Sequence, residues 1–189
     1  MIPHTDLAPS GIPAGYPRHR EEYLGLADGR QVFLRPLVPA DATVLAFELE
    51  HADPETLYNR FFRPSIRVDA ALLEYLTVLD YRYRFALVAF ALDGSAAGIA
   101  RYEGAPNSDS AEIAVAVKPA WRQVGLGTAL LKRLEEHAAE SGIEVLRAEF
   151  LASNGPARGL IQRAGFCDPV FEHGVGSVAH QVRGSALPQ

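Results

Sequence analysis

"WRQVGLGTALLKRL", Trp121 to Leu134, is the stretch whose reading decides the fold. Gly125 and Gly127 follow Arg122, and an apolar stripe at helical spacing begins directly behind them, with no Ser, Asp or Asn placed to cap it. A helix N-terminus presents unpaired N–H groups and about half a positive charge. A bound anion satisfies those donors and makes a capping side chain unnecessary. Gly125 and Gly127 have no Cβ, so the backbone can approach a bulky diphosphate and adopt positive φ. Arg122 adds a permanent cation at the same turn. The plainer alternative is a helix-entry turn whose glycines serve close packing. The segment is not a P-loop, because the chain has no Gly-Lys pair, and Leu130 stands where a dinucleotide fingerprint needs its third glycine.

Working outward, the helix from about Gly127 to Ser141 carries Leu126, Leu130, Leu134 and Ala138 on one face and ends at Gly142. Lys132, Arg133, Glu135, Glu136 and His137 fall on the charged side, where His137 is expected to be solvated. "AEIAVAVK" before the turn reads as a strand that Pro119 ends, and "VLRAEFLA" after the helix as the next strand. "GPARGLIQRA" is a short helix opened by Pro156, and "SVAHQV" a closing strand. Upstream, "YRFALVAFAL" and "AAGIARYE" form a hairpin about Asp93-Gly94, and a shorter hairpin turns at Asp28-Gly29. Between the hairpins lie three short helices, within "VPADATVLAFELEHA", "PETLYNRFF" and "RVDAALLEYLTVL", the last capped by Asp69. The order is that of an α+β fold with a mostly antiparallel mixed sheet and one parallel crossover. Residues 1–22, rich in Pro and Gly without periodicity, are expected to be a flexible tail, leaving residues 23–189 as one domain.

Composition narrows the function. The 189 residues carry a net charge of −5, which argues against nucleic-acid binding over a basic face. Cys167 is the single cysteine, excluding an internal disulfide and a cysteine-based zinc site and suiting a reducing compartment. It is expected to be a small buried hydrophobe. The longest apolar run, "FALVAFAL", is strand-sized, so no membrane span is expected, and the N-terminus has no signal-peptide pattern. These features make cytoplasm the expected location. His173 and His180 have no metal-ligand spacing, and no metal is expected. A homodimer is compatible with the sequence, which does not otherwise specify assembly.

"VKPAWRQVGLGTALL", preceded by "AEIAV" and followed by "EFLASNGPARGLIQRAGF", resembles the GNAT superfamily of acetyl-CoA-dependent N-acetyltransferases. Arg122, Gly125 and Gly127 match that family's [QR]-x-x-G-x-[GA] motif. Asn154 and Gly165-Phe166 match its later segment. The element order agrees over roughly residues 30–183. "LRPLVPADA", "YNRFFRPS" and the paired strands are similar to the catalytic domain of bacterial protein-lysine acetyltransferases, although no additional regulatory domain is expected here.

The resemblance implies acetyl-CoA as co-substrate and a fold in which "IAVAV" and "RAEFL" splay around its pantetheine arm. Arg122, Gln123, Val124, Gly125, Leu126, Gly127 and Thr128 would hold the diphosphate, and main-chain groups of Val115, Ala116 and Val117 the arm. One N–H of that strand would face the developing oxyanion, and Asn154 would bond the pantetheine or the neighbouring turn. Transfer to an amine needs a proton acceptor. Glu112 matches the base of the protein-lysine subgroup, and Glu149 that of some other members. Desolvation among small neighbours is expected at Glu112. Either Glu equally suits a structural ion pair with Arg101 or Arg147. Where many members carry a Tyr that protonates the leaving thiolate, this chain has Ile161; Tyr102 is an alternative acid or a core residue. The acceptor expected from the resemblance is a protein lysine. A small-molecule amine, or a non-catalytic CoA sensor, remains open at this level.

Overall fold

The computed structural model describes residue 9, residues 11–63 and residues 65–182. Residues 1–8 and 10 of the expected tail lie outside the described residues. Residues 16–22, assigned to the same tail, are in contact with the rest of the chain. Tyr16 packs edge-on against Tyr81 at 5.8 Å, and Arg20 bridges to Glu136 at 3.2 Å and Glu140 at 2.6 Å.

One eight-stranded sheet organises the chain. Its strands are β1 (Glu22–Gly25), β2 (Gln31–Pro36), β3 (Arg84–Ala91), β4 (Ala96–Gly104), β5 (Ser110–Val117), β6 (Val145–Leu151), β7 (Val170–Glu172) and β8 (Val175–Gln181). They lie in the order β1-β2-β3-β4-β5-β6-β8-β7, and the β5–β6 pair is parallel while every other pair is antiparallel. The helices are α1 (Ala42–Glu50), α2 (Pro54–Phe61), α3 (Ala70–Thr77), α4 (Leu126–Ser141) and α5 (Gly155–Arg163). This is the expected α+β arrangement.

Local chemistry sets these boundaries. Asp53 and Asp69 cap α2 and α3, each carboxylate accepting a main-chain N–H three residues on, from Thr56 at 2.7 Å and Leu72 at 3.0 Å. The β3–β4 hairpin turns through Gly94 at φ 86°. Central strands β3 and β4 are covered on both faces, which is why "FALVAFA" reads as an unbroken apolar run. On one face α4 lays Leu126, Leu130, Leu134 and Ala138 against the sheet, all fully enclosed. On the other face, a buried ion pair anchors the entry to α1. Arg35 grips Asp41 bidentately at 2.8 and 2.7 Å, and Asp41 also accepts the Val38 N–H.

Two expectations need correction. His137 is not solvated: it is 4% exposed, stacked on Phe85 at 3.7 Å, and its Nε2 lies 2.8 Å from the Tyr81 carbonyl. Tyr81 and the segment at residues 16–21 roof the side of α4 that a helical wheel assigns to solvent. Cys167 is exposed rather than buried, because the chain leaves the core immediately after Phe166. No helix among the described residues is long and apolar enough to cross a membrane.

Candidate active site

The parallel ladder between β5 and β6 is short. It pairs Ser110 with Val145, Ala111 with Leu146 and Glu112 with Arg147, then stops. Beyond Glu112 the two strands run on without partnering each other, and the starts of α4 and α5 stand at that open end.

Register decides which main-chain groups face the opening. The Lys118 N–H donates to the Ala97 carbonyl on the β4 side at 3.0 Å. In an antiparallel ladder hydrogen-bonded pairs alternate with non-hydrogen-bonded ones. The pairs Ala116–Ile99 and Ala114–Arg101 therefore bond within the β4–β5 ladder, whereas Val115 and Val117 turn their N–H and C=O groups toward the gap. Ala116, expected to contribute main-chain groups alongside them, directs its own toward β4. Its contribution is a small side chain on the same face as Glu112 and Ala114.

The glycine turn forms the mouth. Gln123 and Gly125 have φ of 61° and 92°, and α4 begins at Leu126 with no side-chain cap. The two glycines do different work. Gly125 has open space around the position of a Cβ, so what it supplies is its left-handed backbone. At Gly127 a Cβ would come within 3.1 Å of Leu160 on α5 and 3.6 Å of Val117 on β5. Its absence lets α4, α5 and β5 close together at the opening. The packing reading thus accounts for Gly127, while Gly125 shapes a turn whose helix donors have no protein cap. Arg122 is exposed and donates Nε to the Val117 carbonyl at 3.0 Å, which ties the turn to the end of β5. Trp121 lies beneath Arg30, whose guanidinium is 4.0 Å from the ring.

Glu112 and Glu149 sit on the sheet face opposite α4, the face that α2 and α3 partly cover. Glu149 is two residues beyond Arg147, the partner of Glu112, so the carboxylates flank the opening on adjacent strands. Both are exposed, so the expected desolvation of Glu112 is not present. Neither carboxylate has a hydrogen bond or ion pair among the described residues. The expected partner Arg101 instead holds Glu103 at 3.1 Å.

Asn154 caps α5, its Oδ1 accepting the Ala157 N–H at 3.0 Å, a job the sequence reading missed. Its Nδ2 remains for other partners. Ile161, at the position expected of an acid, is buried core. Tyr102 does not replace it: the ring is fully enclosed on the α4 face, and its hydroxyl donates to the Arg82 carbonyl at 2.7 Å and lies 3.2 Å from Ser141 Oγ.

A parallel pair that parts after three residues, with an uncapped glycine turn at its mouth, is specific enough to compare with known proteins. The sequence model of the acetyltransferase (GNAT) family matches residues 48–166. The chain belongs to that family. Acetyl-CoA-dependent N-acetyl transfer is the family's activity. The solved GNAT domain of S. lividans PAT is 31% identical, covers 88% of this chain and 99% of its own, and superposes with a TM-score of 0.81. A curated acetyltransferase from Pseudomonas aeruginosa is 30% identical over 144 residues, which are 75% of this chain and 77% of that protein. Acetyltransferase Pat of Mycolicibacterium smegmatis is 31% identical over 140 residues, 72% of this chain and 41% of the longer relative.

Proposed function

We propose that this acetyltransferase delivers the acetyl group of acetyl-CoA to a lysine side chain of a protein, by direct attack with both substrates bound. The observation that carries the reading is the pair of uncommitted carboxylates, Glu112 and Glu149, on an exposed sheet face at the base of the splay. An open face accepts a side chain presented by a folded partner, whereas a small amine needs walls that supply its binding energy. The likeness to protein-lysine acetyltransferases in "LRPLVPADA" and "YNRFFRPS" points the same way.

The residues present fit acetyl-CoA. Uncapped N–H groups over residues 124–128 and the Arg122 guanidinium suit a diphosphate. The main-chain groups of Val115 and Val117 suit the amides of a pantetheine arm, and the Asn154 Nδ2 suits one of its carbonyls. Bound there, acetyl-CoA supplies an acetyl group activated as a thioester.

The remaining work belongs to the chain. A main-chain N–H of β5, fixed by its ladder to β4, donates to the carbonyl oxygen as it gains charge; a preorganised donor of this kind contributes about 3 kcal/mol. Glu112 accepts the amine proton through a water, since a lysine with a pKa near 10.4 arrives charged at neutral pH. No side chain at the Ile161 position serves as acid, and a thiolate leaves without one.

The test is release of free CoA from acetyl-CoA with a panel of lysine-containing proteins and peptides, amino acids, polyamines and aminoglycosides, for the parent and Glu112→Gln. Turnover with protein lysines that falls about a hundredfold or more in Glu112→Gln is the expected result. Turnover confined to small amines would overturn the acceptor assignment, and CoA binding without turnover on any amine would leave only a sensor.

A further inference from the structure

At the far end of α4, His137 and Glu140 are three residues apart and share one side of the helix. The 3-10 turn Arg18–Arg20 places His19 across from them. The nearest ligand atoms of the three side chains all lie within 4.8 Å of one another. We propose that His19, His137 and Glu140 form a site for a divalent transition-metal ion of the zinc type, about 18 Å along α4 from the glycine turn.

His137 Nε2 faces the Tyr81 carbonyl at 2.8 Å, and a carbonyl can only accept, so Nε2 carries the hydrogen. In the neutral ring Nδ1 then offers a lone pair. That atom is fully enclosed, has no hydrogen-bond partner among the described residues, and lies 3.9 Å from Glu140 Oε2. A lone pair and a carboxylate oxygen so close repel unless a positive charge, a proton or a metal ion, stands between them. Metal-binding histidines characteristically donate the other ring N–H to a carbonyl, which fixes both tautomer and ring. His137 has that arrangement, and stacking on Phe85 holds the ring further.

Distances agree with the chemistry. Around a tetrahedral zinc ion with bonds of about 2.1 Å, ligand atoms stand about 3.4 Å apart. His19 Nε2 already lies 3.4 Å from Glu140 Oε2, and His137 Nδ1 lies 3.9 Å from the same oxygen. Two imidazoles and a carboxylate suit zinc, with water in the fourth position.

Arg20 is the competing cation. It holds Glu140 Oε2 at 2.6 Å and Glu136 at 3.2 Å, so a metal on Glu140 competes with Arg20 for that oxygen and binds more weakly than it would at an unpaired carboxylate. The ion would pin residues 16–21 to α4 and leave the transfer site unaltered.

Calorimetric titration of EDTA-stripped protein with zinc chloride tests this. The expected result is one ion per chain. Affinity should fall at least tenfold in His19→Ala and in Glu140→Gln, and be unchanged in His173→Ala, a control at an exposed histidine elsewhere. His19 and Glu140 are surface groups, so neither variant depends on replacing the buried His137. Saturable binding that is equally tight in His19→Ala, or no binding at about a hundred micromolar zinc, would overturn the site.

Discussion

Glu103 and Glu112 face one another across a hydrogen-bonded pair of the β4–β5 ladder, on the same side of the sheet, in contrasting surroundings. Glu103 is held by Arg101 at 3.1 Å, Arg84 at 3.4 Å and the Tyr75 hydroxyl, whose proton affinity is raised first by that hydrogen bond and then by burial. Glu112 has no such partners, and like charges directly opposite are mildly destabilising. The proton-accepting role proposed for Glu112 would offset that cost. Glu112→Gln should lower kcat about 10²- to 10³-fold with KM for acetyl-CoA unchanged, and raise stability by about 0.5 kcal/mol. Glu103→Gln should instead lower the melting temperature. A deeper loss of kcat in Glu149→Gln than in Glu112→Gln would move the base to β6.

Gly125 and Gly127 answer differently to alanine. At Gly125, φ of 92° makes a side chain costly, about 1 kcal/mol or more, although nothing is nearby to collide with it. At Gly127 the obstacle is Leu160 Cδ1 at 3.1 Å, the tip of a flexible side chain. Gly127→Ala should weaken acetyl-CoA binding modestly by pushing the Leu160 side chain at the mouth, and Leu160→Val in the same chain should restore part of it. No second-site change at Leu160 should rescue Gly125→Ala. Titration of acetyl-CoA into the four proteins reads both effects.

That division of labour also marks what one sequence discloses. The stripe of Leu126, Leu130, Leu134 and Ala138 and the hairpins at Asp28-Gly29 and Asp93-Gly94 were legible because period and turn chemistry are local. The parallel β5–β6 pair followed from a helix between two strands. Strand β7 was not legible: Val170, Phe171 and Glu172 are all exposed at a sheet edge and show no alternation. His137 left a signal, standing seven residues after Leu130 and three after Leu134. Its reading as solvated failed because the roof over it comes from residues more than fifty positions away. The capping job of Asn154 was foreshadowed by Pro156 two residues on, and the exposure of Glu112 by nothing local.

The pair Arg35–Asp41 offers a test of the fold away from the site. The side chains are 7% and 9% exposed, and Asp41 also accepts the Val38 N–H at 2.9 Å. Removing one partner leaves a charge enclosed, at a cost of about 3–5 kcal/mol. Asp41→Ala should lose that much in urea denaturation and loosen the entry to α1, while Asp28→Ala, which breaks the exposed turn pair with Arg30, should shift the urea midpoint far less than Asp41→Ala does.

His137 should make stability depend on pH. Burial, outweighing the hydrogen bond to the Tyr81 carbonyl, holds its folded pKa below the value of about 6.5 expected in the unfolded chain. Between those two values the unfolded chain binds the proton and the native state does not. Stability is therefore fully present above about pH 6.5 and declines as pH falls toward the folded pKa, by at most about 1.4 kcal/mol per pH unit. The contribution is not lost on the alkaline side. In EDTA, unfolding free energies measured from pH 7.5 to pH 5 should show this decline in the parent and a shallower one in His137→Gln, which keeps a donor for Tyr81 but cannot take up a proton. An equal slope in the two proteins would assign the acid sensitivity to other groups and show that burial does not hold His137 neutral.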